Sequence, residues 1–227
     1  MSDAALTISE QADAIKTSSA GRLPAEVAAV FDAQAAGLRD AGVPEGVAAT
    51  GTVVSDAALL DAHGGATTLY EVTAGRPAVV VFYRGAWCPY CNVALHTYSE
   101  QLLKPLAEHG VQLVAVSPQR PDGSLSMQEK HDLAFPVVSD PGNVLAMELG
   151  VLTTSASQEV LAAQRRLGLD LTEVNADGTA GLPMPTVVLI DADHRIRWID
   201  VHPDYTTRTE VAEILDAVHR SLQPARA

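Results

Sequence analysis

The chain has little cysteine and little positive charge, and it has no long apolar run. Cys88 and Cys91 are the only cysteines among 227 residues. Two thiols cannot make a disulfide framework, which leaves redox or metal chemistry in a reducing compartment. Lys and Arg number 15 against 28 Asp and Glu, a net charge of −13, and the basic residues are scattered. Such a surface repels polyphosphates and anionic lipid, which argues against nucleic acid and membrane as partners. No apolar stretch approaches the roughly 20 residues of a membrane span. No basic n-region with an apolar core opens the chain, so a cytoplasmic protein is expected. There is no GxGxxG after a strand and no phosphate loop, so no organic cofactor is expected. One CxxC supplies two of the about four ligands that tetrahedral zinc wants. His96 is the nearby histidine at suggestive spacing, and it lies further down the same predicted helix, so no metal is expected.

What the chain does have is the stretch Val79-Val80-Val81-Phe82-Tyr83-Arg84-Gly85-Ala86-Trp87-Cys88-Pro89-Tyr90-Cys91. A β-branched apolar run ends at a glycine, and behind the cysteines Val93, Leu95, Tyr98, Leu102, Leu103 and Leu106 recur at helical spacing. The pattern predicts a buried strand, a tight turn and a helix from Pro89 to His109, with both thiols at the helix N-terminus. Unpaired N–H groups and the positive end of the helix dipole lower a thiol pKa there from its usual value of about 8.5. Residues i and i+3 share a face, so Cys88 and Cys91 can close a disulfide with little backbone movement. Pro89 suits the first helical turn, where its missing N–H costs nothing. Trp87 flanks the pair and limits water access, and Tyr90 lies between the two cysteines. Arg84 is a candidate cation for the site, with a surface ion pair as the alternative.

Around this centre, strands and helices alternate. Residues 1–48 carry two predicted helices, one around Ser9 to Thr17 and one after Pro24 that ends at Gly42. They form an N-terminal helical extension that packs on the core or on a second subunit, which leaves a homodimer open. Residues 49–227 form one α/β domain. Its predicted strands are Thr67 to Tyr70, Pro77 to Tyr83, Val111 to Val116, Phe135 to Val138, Thr186 to Ile190 and Arg195 to Val201. Helices run from an N-cap at Ser124 to about Asp132, from an Asp140 cap to Leu149, over Ser157 to Leu167, and from Thr207 to Leu222, and Leu169 to Ala180 is a loop. Long crossovers between the early strands imply parallel pairing, and the hairpin at Asp191-Ala192-Asp193 makes the sheet mixed, with helices on both faces. His63, His109, His131, His194, His202 and His219 fall in turns or at helix ends and are expected to be solvated.

From Thr50 onward the sequence resembles the thioredoxin superfamily, and within it the peroxiredoxin-like branch, the alkyl hydroperoxide reductase/thiol-specific antioxidant group. Trp87-Cys88-Pro89-Tyr90-Cys91 resembles the thioredoxin WCxxC site, and the RGxWCPYC core of peroxiredoxin-like proteins is present from Arg84. Met184-Pro185-Thr186 resembles the cis-proline loop, which implies a cis Pro185 that turns the Met184 backbone toward Cys88 and offers a strand edge. Ser139 to Asn143 and Asp204 to Arg208 are similar to further peroxiredoxin-like segments. The resemblance implies a thioredoxin-like fold and two alternative registers. In the thioredoxin register Cys88 is the exposed attacking thiolate and Cys91 resolves. In the peroxiredoxin register Cys91 attacks, Cys88 stands where that family has Thr or Ser, and Met184-Pro185 stand where it has an arginine.

The activity implied first is a thiol-dependent peroxidase. It reduces hydrogen peroxide or alkyl hydroperoxides through a Cys88–Cys91 disulfide that thioredoxin or a similar dithiol recycles. A thiol–disulfide oxidoreductase of thioredoxin or glutaredoxin type is the second reading, and a redox-inert interaction domain the third.

Overall fold

A computed structural model describes residues 6–19, 21–153 and 156–221. Two helices come first, α1 (Ile8–Ser19) and α2 (Ala25–Ala41). The short strands β1 (Ala58–Leu60) and β2 (Ala66–Thr68) lead into α3 (Leu69–Thr73), followed by β3 (Ala78–Phe82), α4 (Pro89–Gln101), α5 (Leu103–Glu108) and β4 (Gln112–Ser117). Next come α6 (Pro121–Lys130), β5 (Val137–Ser139), a 3-10 turn (Pro141–Asn143), α7 (Val144–Glu148), α8 (Gln158–Arg166) and α9 (Leu171–Val174). The hairpin of β6 (Thr186–Ile190) and β7 (Ile196–Val201) precedes α10 (Val211–Ser221).

The strands form one seven-stranded mixed sheet in the order β2-β1-β5-β4-β3-β6-β7. β3, β4 and β5 run parallel, as crossovers require, while β6 lies antiparallel to β3 and to β7. All five residues of β3 are buried, which is why its sequence reads as an unbroken apolar run. Its side chains alternate between two cores. Val79, Val81 and Tyr83 face the layer holding Leu95 and Tyr98 of α4 and Ile214 and Val218 of α10. Ala78, Val80 and Phe82 face Leu69, Leu145 and Leu149 on the other side. Ile8 of α1 is buried in the first core, where α1 packs on α4.

Several element bounds differ from the expected ones, each for a local reason. The predicted helix from Pro89 to His109 breaks at Leu102, because Pro105 has no N–H to donate and its ring crowds the Gln101 carbonyl. The expected strand over Tyr70 ends at Thr68, whose hydroxyl accepts from the Glu71 N–H (3.2 Å) and starts α3. α6 begins at Pro121 rather than after Ser124, with the proline in its first turn; Ser124 is buried within the helix, 3.1 Å from the Ser139 hydroxyl. Asp140 precedes the 3-10 turn instead of α7, whose N-cap is Asn143, yet its carboxylate reaches α7 and accepts from the N–H groups of Val144 (2.9 Å) and Leu145 (3.0 Å). The expected loop after Leu169 contains α9, capped by Asp170. α10 starts four residues later than expected, at Val211, and the expected end at Leu222 lies outside the described residues. No helix among the described residues is long and apolar enough to cross a membrane.

One buried bond ties the helix that carries the cysteines to the segment before α10. The Tyr98 hydroxyl, fully buried, donates to the Thr209 carbonyl at 2.6 Å. Tyr98→Phe leaves that carbonyl without its donor and is expected to cost about 1–3 kcal/mol of unfolding free energy in urea titrations.

Candidate active site

The site starts where β3 ends. Tyr83 extends the strand by one residue, its N–H donating to the Val116 carbonyl (2.9 Å), and burial pushes its phenol up to about 12. The chain then turns at Gly85, at φ +147, where a Cβ would collide with the Trp87 ring and the Gln119 amide. Gln119, from the loop after β4, fixes the turn by accepting from the Ala86 N–H at 2.7 Å. Cys88 occupies the N-cap of α4 in extended conformation, with Pro89 in the first turn behind it. Its carbonyl accepts from the N–H groups of Cys91 and Asn92, both at 3.1 Å. Both thiols are therefore at the helix start, and both are free.

They are not exposed. Cys88 is 1% and Cys91 0% accessible, which corrects the expectation of an exposed Cys88. Both sulfurs belong to the first apolar core, and a guanidinium reaches them there. Arg208, from the loop between β7 and α10, points Nη2 at Cys91 Sγ (2.9 Å) and stands 3.7 Å from Cys88 Sγ. Its Nη1 donates to the carbonyls of Tyr205 (2.7 Å) and Thr207 (2.5 Å). Arg84 is also buried, so the surface ion pair is corrected too. Its guanidinium carbon lies 4.3 Å from the ring centre of Tyr205 and 5.0 Å from that of Trp87. Each such cation–π contact is worth about 0.5–2 kcal/mol. Tyr90 meets Tyr205 edge-on at 6.5 Å, and Trp87, Tyr90 and Tyr205 are all half-buried.

The two sulfurs differ in acidity. Burial alone would raise Cys91, but the hydrogen bond from Cys88, the Arg208 charge, and the backbone and guanidinium of Arg84 outweigh it and hold the thiol well below its ordinary value. Cys88 is pushed well above it, first by burial and then by its hydrogen bond to Cys91 and that neighbour's charge. The geometry agrees, since the shorter arginine contact is to Cys91. The arrangement favours the thiolate at Cys91, with the Cys88 thiol beside it as donor. The helix dipole alone makes no such distinction; the shorter Arg208 contact and the hydrogen bond from Cys88 make it.

The Met184-Pro185-Thr186 segment does not play the part implied for it. No cis peptide occurs among the described residues, so Pro185 is trans. The Met184 N–H donates to Val151 O (2.7 Å), its carbonyl accepts from the Thr186 hydroxyl (2.9 Å), and the Pro185 carbonyl accepts from the His202 N–H (2.8 Å). These bonds occupy the backbone that a guest strand would need. Thr186 itself pairs with Phe82 at the end of β3 that leads to the cysteines. Two of the histidines expected in solvent are also engaged: His194 stacks on Tyr70 at 3.4 Å, and His202 bridges Asp200 (2.9 Å) and Thr207 (2.8 Å). No group of three or more His, Cys, Asp or Glu among the described residues is arranged to hold a metal.

The AhpC/TSA family model matches residues 50–199, about two thirds of the chain. The chain belongs to the AhpC/TSA family. No curated protein matches the sequence. Among solved structures, peroxidoxin BcpB from Mycobacterium tuberculosis superposes with a TM-score of 0.58 at 20% identity, over 77% of this chain and 98% of its own. Reduced Prx3 from Vibrio vulnificus, in complex with hydrogen peroxide, gives 0.60 at 18% identity, over 76% of this chain and 99% of its own. A peroxiredoxin-like protein from Aquifex aeolicus gives 0.60 at 15%, over 79% and 91%. At these identities the likeness is one of fold, and it agrees with the mixed sheet described above.

Within this AhpC/TSA chain Arg208 lies beyond the matched segment. Sequence reasoning gave it no role, and Met184-Pro185 stood where the family's arginine was sought. The available signal was its place in an Asp-Tyr-Thr-Thr-Arg run just before the last amphipathic helix. Arg208→Met removes the charge at similar length. The pH midpoint of Cys91 alkylation by iodoacetamide, followed by site-resolved mass spectrometry, is expected to rise by about one unit, a tenfold loss of thiolate below the midpoint.

Proposed function

We propose that the chain is a thiol-dependent peroxidase in which Cys91 attacks and Cys88 resolves. The observation that carries this reading is the Arg208 guanidinium, 2.9 Å from Cys91 Sγ and 3.7 Å from Cys88 Sγ. The Cys91 thiolate attacks the terminal oxygen of hydrogen peroxide or an alkyl hydroperoxide. An S–O bond forms, the O–O bond breaks, and the departing hydroxide or alkoxide takes a proton from solvent, leaving a sulfenic acid on Cys91. Arg208 and Arg84 offset the negative charge on the reacting oxygens. The Cys88 thiol then condenses with the sulfenic acid, releasing water and forming the Cys88–Cys91 disulfide. A dithiol of thioredoxin type returns both cysteines to thiols and becomes a disulfide itself.

The burial of both thiols favours a small substrate. A protein disulfide would need an exposed Cys88 thiolate and a free strand edge. Cys88 is buried and hard to ionise, and the backbone at Met184 and Pro185 is engaged. The redox-inert reading fares worse, because a neutral cysteine pair would leave the Arg208 charge out of water with no anion beside it among the contacts described. Membership in the AhpC/TSA family supports the same conclusion at the level of reaction class.

Cys91→Ser is expected to abolish peroxide consumption coupled to thioredoxin and NADPH. Cys88→Ser is expected to keep the first oxidation but stall, with one added oxygen on Cys91 detectable by mass spectrometry or dimedone. Wild-type consumption no faster than free cysteine would end the proposal. The thioredoxin register would be supported instead if the two variants behaved in the opposite way.

A further inference from the structure

Arg208 reaches the sulfurs from an irregular loop, and that loop is held by helices from the other end of the sequence. Asp204 is 5% accessible, and its Oδ1 accepts from the N–H (3.0 Å) and hydroxyl (2.8 Å) of Thr206. Its Oδ2 accepts twice from Arg39 of α2, from Nε at 3.1 Å and Nη2 at 2.8 Å. The Tyr205 hydroxyl donates to the Phe31 carbonyl of α2 at 3.1 Å, while its ring lies against Arg84. At the far end of the loop, the Glu210 carboxylate accepts from the N–H groups of Ile8 (3.0 Å) and Ser9 (2.8 Å) at the start of α1. Arg208 sits between these anchors and donates to two carbonyls of the same loop, those of Tyr205 and Thr207. Arg39, Asp204 and Arg208 all lie outside the segment that matches the family.

We propose that Arg39, acting through Asp204, is a positioning residue that sets Arg208 against Cys91. A buried carboxylate must keep its partner or reach water. Without Arg39, Asp204 turns outward and takes the Thr206 turn with it. The Tyr205 and Thr207 carbonyls that orient Arg208 move together with that turn. A charge-assisted hydrogen bond weakens steeply with distance and angle, so a small displacement of Nη2 reduces the hold on the thiolate. Arg39 has a 61% exposed side chain, so its removal opens no core cavity and the cost falls on the Asp204 carboxylate left behind. The charged and titratable groups around the sulfurs are Arg84, Arg208, and the phenols of Tyr83, Tyr90, Tyr98 and Tyr205. Arg39 touches none of these groups in the contacts described, so its effect is transmitted through the loop.

The inference deepens the peroxidase reading, and its test reads ionisation apart from turnover. In the full-length chain, Arg39→Met is expected to raise the pH midpoint of Cys91 alkylation by about half a unit, roughly threefold less thiolate below the midpoint. Arg39→Lys, which keeps the charge and one donor, is expected to recover most of that shift. Arg39→Gln serves the same purpose should the methionine variant not fold. A merely structural role would lower the urea midpoint and leave the alkylation profile in place, and an unmoved profile in a folded variant overturns the proposal. A raised midpoint in a protein that consumes no peroxide would keep the positioning role and end the peroxidase reading. Peroxide turnover with an unmoved midpoint would do the reverse.

Discussion

A guanidinium taken out of water needs a negative charge beside it, and Arg208 finds one on the sulfur of Cys91. Much of the surrounding architecture serves that contact. The apolar strand β3 carries the chain into the core, Gly85 lets it turn where a side chain would collide, and Cys88 and Pro89 open α4 at the point the arginine reaches. Tyr205 and Thr207 receive the other face of the guanidinium, and Arg84 adds a second positive charge between aromatic rings. The thiol pair is thus buried in the apolar core with a cation against it.

A helix start offers much the same dipole to its N-cap as to its first turn, so the dipole alone would treat the two cysteines nearly alike. Their difference comes from side chains. Cys91 receives the short arginine contact and a hydrogen bond from its neighbour, and Cys88, giving up that bond, keeps its proton. The bond that favours charge on one sulfur disfavours it on the other, and the cation lies closer to the second cysteine.

Much of this was legible from residues that act locally. The strand, turn and helix around the cysteines, the Asp140 carboxylate at a helix start, the closing hairpin and the mixed sheet all follow from periodicity and turn chemistry within a few residues. A break one turn before Pro105 was legible by the same means, although helical spacing alone runs straight through it. The arginine was not, since 117 residues separate it from Cys91 and no periodic signal spans that interval. Nor could the sequence give the burial of Cys88, which depends on how distant segments close over it. The trans geometry at Pro185 differs from what the resemblance implied, because the neighbouring groups bond to Val151 and His202 instead of opening an edge.

The same separation has a consequence during synthesis. At about 5–20 residues per second, the 117 residues between the second cysteine and its arginine take on the order of ten seconds to translate. Throughout that time the emerging sulfurs lack the cation and have the acidity of ordinary thiols, mostly protonated and slow toward oxidants. The low pKa of the second cysteine therefore belongs to the folded protein and to no stage of the nascent chain that precedes Arg208.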